Sequence, residues 1–181
     1  MKVHIIYDRK RIAKELLFIQ KHVNHFTQND MFFYFPFDAH SALRSDDVQH
    51  QIRLDEEKYQ IKNAQKTITT AWRKKEHDVF CALQQYNARH KTLTLHNRYD
   101  CFLTFYGCYG YYNAPHELFI NIDAPIEDML MTIAHELLHL CIYAKTAQMS
   151  YQETEQAVDD LFFKANLHKI FPHYTAQKIK S

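Results

Sequence analysis

Two histidines stand four residues apart, with a glutamate directly after the first, in the segment His135-Glu136-Leu137-Leu138-His139. On a helix, positions i and i+4 face the same way, so both imidazoles can reach one ion. Glu136 lies about 100° around the axis from His135, which puts it beside that ion rather than on it. Water bound to zinc loses a proton far more easily than free water. Glu136 is placed to accept that proton and then to deliver it to a leaving amine. With 13 histidines in 181 residues, chance gives roughly 0.05 matches to this pattern. The competing reading is two surface histidines on an amphipathic helix.

A catalytic zinc takes three protein ligands and keeps one position open for water. A histidine six residues beyond His139 would extend the motif, but that residue is Lys145. The next acids are Glu153 and Glu155. Ser150 and Glu153 have the spacing of a capping box, which gives Glu153 a local role at a helix start. Glu155 shares a stripe with Val158 and Phe162 and is expected to face the core. An antiparallel return places it about 8 Å along its helix, near the histidines about 9–12 Å from the end of theirs. Glu155 is therefore the first choice for third ligand. Glu153, Asp159, Asp160, His168 and His173 remain alternatives. Asp159, one turn beyond Glu155, can accept a hydrogen bond from the outer nitrogen of a ligating histidine; a solvated helix face is the other reading.

The pair formed by H-E-L-L-H and the downstream Glu155-x-x-x-Asp159 resembles the gluzincin branch of the zincin metallopeptidases. The compact layout looks like that of its small single-domain members, the minigluzincins. The resemblance spans residues 101–165 and does not reach residues 1–90. It implies an α+β zincin-like fold in which the active-site helix and the glutamate helix form a hairpin. It implies one zinc per chain held by His135, His139 and Glu155, with Glu136 as general base and acid, and a peptide or protein as substrate. The strand just before the active-site helix, here residues 118–122, would bind extended substrate by β-addition. A tyrosine or histidine that steadies the oxyanion is also implied, and Tyr143, Tyr151, His168, His173 and Tyr174 are the candidates. Two other classes stay open: a zinc-binding regulatory or interaction module with this fold and little turnover, and a structural protein whose histidines hold no metal.

The elements that must position these residues follow from periodicity. Residues 2–7 read as a strand. Ile12, Leu16, Ile19 and Val23 mark a helix over 9–26. The apolar run 31–35 reads as a strand stopped by Pro36. Residues 46–90 read as one bent helix or two. Strands are expected at 93–95 and 101–106 around a turn at 97–100, with Tyr109, Tyr111 and Tyr112 prolonging the second. Those three tyrosines are expected to pack a sheet face. After a turn at 113–116, residues 118–122 form the next strand. Asp123 then caps a helix reaching Ala144, with Pro125 in its first turn and Glu127 and Asp128 at the positive end of its dipole. Ser150 opens a last helix that ends before Pro172. The expected fold is α+β: a small, mainly antiparallel sheet with helices on one side, in a single domain over 1–181. Its first 90 residues are helix-rich and of unassigned role, and 91–171 carry the strands and both site helices.

Composition sets the outer limits. Hydrophobic residues make up 46% of the chain and aromatics 14%, enough for a folded core. Two glycines in 181 residues point to a helix-rich chain. A formal charge of +1 argues against a dominant phosphate-binding surface, so no nucleic-acid partner is expected. Arg73-Lys74-Lys75 reads as the solvated face of a helix. The four cysteines form no C-x-x-C pair and read as free thiols in a reducing compartment. No apolar run approaches the ~20 residues of a spanning helix, and the first residues charge too quickly for a signal peptide. The cytoplasm is the default location.

Overall fold

The structure is a computed structural model that describes residues 1–28, 32–39 and 41–176. In chain order its elements are β1 (Lys2–Ile6), α1 (Arg9–Gln28), α2 (Ser45–Lys58), α3 (Ile61–His90), β2 (Arg98–Thr104), β3 (Gly110–Asn113), β4 (Glu117–Asn121), α4 (Ile126–Thr146) and α5 (Tyr151–Lys164). A 3-10 turn at Leu167–Lys169 follows. The architecture is mixed α+β around one four-stranded sheet of order β1-β2-β4-β3.

The sheet is not mainly antiparallel, as the sequence had suggested. β1 pairs parallel with β2, and β2 pairs parallel with β4; only β3 and β4 are antiparallel. The cause is the long crossover from β1 to β2 through three helices, which returns the chain to the same end of the sheet. The expected hairpin partner of β2, residues 93–95, is no strand: Thr94 donates its N–H to the carbonyl of Cys141 on α4 (2.8 Å). Nor do the tyrosines prolong β2. The chain turns at Gly107, which has φ +83°; Tyr111 and Tyr112 lie in β3 on the far side of β4, and Tyr109 stands just before it.

Helices cover both faces of the sheet, not one. Side chains alternate across each strand, so Val3, Tyr99, Cys101, Leu103, Leu118 and Ile120 line one face against α3 and α4. There Phe80 of α3 stacks on Tyr99, and the Tyr99 hydroxyl meets the Cys141 thiol of α4 at 3.7 Å. Phe102, Phe119 and Tyr111 line the other face. The Arg11 guanidinium of α1 sits over the Phe102 and Phe119 rings, and Tyr111 donates its hydroxyl to Glu15 of α1 (2.9 Å). One hydrophobic cluster joins residues from β1 through Phe171. The N-terminal half therefore supplies an edge strand and a cover for each face.

Local chemistry explains the remaining boundaries. Gln60 takes a left-handed conformation (φ 46°) and divides the long helical region into α2 and α3. In the expected strand at 31–35, Met31 lies outside the described residues, and Tyr34 makes only an isolated bridge with Gly107. Asp123 does not cap α4. Its N–H is held by the Asn121 side chain (2.9 Å), and Pro125 occupies the N-cap, so the helix begins at Ile126. The capping box of α5 forms as the spacing predicts: Ser150 Oγ accepts from the Glu153 N–H, and Glu153 accepts from the Ser150 N–H. Cys101, Cys108 and Cys141 are buried free thiols; Cys81 is half-buried. Among the described residues no helix is long and apolar enough to cross a membrane.

The two edges of the sheet differ. On β1, the Val3 N–H is taken by Glu76 (2.7 Å) and the Ile5 carbonyl by Gln65 (3.0 Å), both from α3. β4, the strand expected to offer an open edge, lies inside the sheet between β2 and β3. The edge that remains is β3. Asn121 donates to the carbonyl of Tyr109 (3.0 Å). Because antiparallel pairs alternate, Gly110 and Tyr112 turn their main-chain groups away from β4. Cys108 Sγ meets the Gly110 carbonyl at 3.0 Å, while Tyr112 presents both its N–H and its C=O to the open side.

Candidate metal centre

His135 and His139 lie one turn apart on the inward face of α4, and Glu155 faces them from α5. All three are buried, with exposures of 6%, 2% and 5%. The connection 147–150 folds α5 back along α4, and Val158 and Phe162 anchor its inner stripe in the core. This brings the donor atoms together. His135 Nε2 stands 3.1 Å from Glu155 Oε2 and 3.1 Å from His139 Nε2, and His139 Nε2 stands 3.3 Å from Glu155 Oε1.

Two imidazole nitrogens and a carboxylate present electron pairs to one another at these distances, an arrangement that requires a proton or a cation among them. Ligand atoms about 2.0–2.1 Å from a tetrahedral centre stand about 3.3 Å apart; the two histidine nitrogens stand 3.1 Å apart, and each lies 3.1–3.3 Å from one oxygen of the Glu155 carboxylate. The group can therefore hold a metal ion, and among the described residues it is the single cluster of three or more histidine, cysteine or acidic side chains that can.

Each histidine is fixed differently. His135 Nδ1 lies 3.0 Å from the hydroxyl of Tyr174, which in turn is hydrogen-bonded to Asp159. A carboxylate only accepts, so the Tyr174 hydroxyl donates to Asp159 and accepts from His135 Nδ1–H. That assignment leaves the His135 Nε2 lone pair facing the cluster. Tyr174 is itself clamped by stacking on Phe162, with ring centroids 3.6 Å apart. The His139 ring is held by Tyr112 of β3, stacked at 4.7 Å.

Electrostatics follow from burial and pairing. Burial alone would raise the Glu155 pKa, but hydrogen bonds and charge from His135 and His139 pull it down to about 2. Burial alone would lower His135; the hydrogen bond to Glu155, with the charges of Glu136, Glu155 and Asp159, raises it instead. Glu136 is buried, and burial pushes its pKa up despite the two histidines. No hydrogen-bond donor among the described residues reaches its carboxylate. Gly110 explains how β3 lies so close to it: a Cβ there would sit 2.4 Å from Thr132 Cγ2 and 2.9 Å from Glu136 Oε1.

The remaining candidates separate clearly. Glu153 serves the cap of α5, and Asp160 pairs with Lys164 and Gln156 at the surface. Neither joins the cluster. Asp159 acts on His135 through Tyr174, not directly as the spacing suggested. Tyr174 holds the outer nitrogen of His135, which removes it from the oxyanion candidates. Tyr143 is exposed and packs edge-on against Tyr112. His168 lies against Phe163. Tyr151 and His173 line the same cleft as Glu136, a hollow of about 1370 Å³ along β3 and the start of α4.

Sequence reasoning missed Tyr112 as the support of His139 and Tyr174 as the link to Asp159. Only the three-dimensional return of the chain after Phe171 brings Tyr174 back to α4. Comparisons with protein-family models, curated proteins and solved structures gave no match.

Proposed function

We propose that the chain is a zinc-dependent peptidase of zincin-like, gluzincin type, with one zinc per chain held by His135, His139 and Glu155 and with Glu136 as general base and acid. The observation that carries this reading is the buried cluster of two histidines and one glutamate with a carboxylate beside it that accepts no hydrogen bond among the described residues, at the wall of a large cleft. The donor set, two imidazoles and one carboxylate, suits a catalytic zinc with an open position. When bound, zinc lowers the pKa of a coordinated water toward neutrality and polarises a carbonyl.

The chain's own residues do the rest. Glu136 accepts the proton of the attacking water at its carboxylate and passes it to the leaving amine nitrogen; burial, which raises its pKa, suits it to both halves of that transfer. The open edge of β3 pairs with the main chain of an extended substrate through Tyr112, which places the scissile bond over Glu136. Of the oxyanion candidates, Tyr151 and His173 are the ones that line this cleft beside Glu136. A cleft of about 1370 Å³ exceeds the ~300–1,000 Å³ typical of small-molecule sites and suits a polymer.

Replacing Glu136 by Gln keeps the shape and removes the proton acceptor. Zinc content, measured by elemental analysis, stays at about one per chain, while cleavage of an unfolded protein falls by about 10²–10⁴-fold or more. Cleavage at the parent rate in Glu136→Gln would sink the mechanism. A parent chain that holds zinc and cleaves no unfolded protein is instead a binding module.

A further inference from the structure

The cleft does not end at the metal centre. It wraps around the open edge of β3 and continues over the outer face of the sheet, where α1 lies. β3 divides its side chains between the two sides: Gly110 and Tyr112 face α4, and Tyr109 and Tyr111 face α1. Tyr111 stacks on Phe119 at 4.6 Å and stands 6.1 Å from Phe18 of α1, whose ring lies 4.1 Å from that of His22. Tyr109 stacks on Phe32 at 4.6 Å. Phe18, Phe32 and Tyr109 are 43%, 48% and 51% exposed. Large rings left to water side by side along a cleft wall form a patch of the kind that marks a binding surface. Asp123, Asp128, Glu136 and Glu155 also line the cleft, and among the described residues no lysine or arginine does.

We infer that this α1 wall is a subsite for the large aromatic or aliphatic side chain of an extended, positively charged peptide paired to β3, an assignment that rests on reading the cleft as a peptide-binding site. A strand added to β3 turns successive side chains to opposite faces. The residue next to one that faces the metal centre is therefore delivered to Phe18, Phe32 and Tyr109. Main-chain pairing with β3 is blind to sequence; the α1 wall supplies the choice. Asp123 and Asp128, the cleft carboxylates outside the metal site, disfavour acidic neighbours and favour Lys or Arg.

Binding of a fluorescein-labelled Lys/Ser peptide bearing a single Phe, compared with its Ala counterpart, to zinc-loaded full-length Glu136→Gln reads this directly. The Phe peptide is expected to bind about tenfold tighter, as burial of one aromatic side chain provides. Phe18→Ala and Tyr109→Ala, checked for an unchanged circular dichroism spectrum, reduce that preference to about twofold or less, while Leu17→Ala, exposed on α1 outside the cleft, preserves it. Equal affinity for the two peptides, no binding of either, or a preference that survives both ring truncations overturns the subsite. Preference for Phe with no cleavage by the parent chain leaves the subsite standing and removes the peptidase reading. Cleavage without any such preference does the reverse.

Discussion

His135 presents its Nε2 lone pair because its other nitrogen is committed to Tyr174, and Tyr174 is committed to Asp159. Tyr174→Phe keeps the ring that stacks on Phe162 and deletes the hydroxyl that joins the two. Zinc affinity, measured by competition with a chromogenic chelator, should fall about 10–100-fold with the helix content unchanged. An unaltered affinity would show that the tyrosine only packs. The ligand cluster also sets a pH dependence in the metal-free chain. Glu155 titrates at about 2, below the ~4.3 of an unfolded glutamate, so its stabilisation is complete above about 4.3 and is lost as pH falls toward 2. His135 is raised above its unfolded value, so its stabilisation is complete below about 6.5 and is lost as pH rises through the folded value. The part of the denaturant midpoint of chelator-treated protein that this pair supplies should therefore be largest between about pH 4.3 and 6.5 and smaller on either side. The profile should flatten in Glu155→Gln. At this scale the sequence was most legible: His135, Glu136 and His139 were visible as a motif, and Glu155 as the first choice among the downstream candidates once Ser150 had claimed Glu153. Tyr174 and Tyr112 were not, because each meets its histidine across the fold, at no fixed spacing.

α4 and β3 approach so closely that Gly110 leaves no room for a side chain. Its backbone is not in the left-handed region; the constraint is contact alone. Gly110→Ala drives a methyl into Thr132 Cγ2 and toward Glu136, and should cost about 1–3 kcal/mol of stability by overpacking. Thr132→Ala in the same chain removes the nearer obstacle and should recover part of that loss, a coupling that paired thermal melts of the single and double variants will reveal. Additive losses would mean that the two do not meet. Helices were largely legible from sequence because their signals are local: the stripe of α1 and the capping box of α5 both lie within a few residues. β3 was not. Four residues starting at a glycine carry little period-two signal, and their pairing with β4 instead of continuing β2 depends on the turn at Gly107.

One sheet, faced by α1 on one side and by α3 and α4 on the other, ties residues 1–90 into the same core as the candidate site. Metal binding should therefore register in the stability of the whole chain. Zinc at about a thousandfold its Kd adds about 4 kcal/mol, which for a chain of this size is roughly 8–16 °C in Tm. A chelator should remove that increment, and His139→Ala should abolish the response. A melting temperature indifferent to zinc would contradict the site. Topology was the least legible level. Neither the parallel pairing of β1 nor the second helical face carries a local signature, since both arise from where a 90-residue excursion returns. The unequal edges of the sheet have a consequence for association. Glu76 and Gln65 hold the Val3 N–H and the Ile5 carbonyl of β1, so among the described strands β3 is the edge better placed to take a second copy. Two chains that pair there bury each other's open edge, and growth stops at a closed pair instead of running on into a fibre.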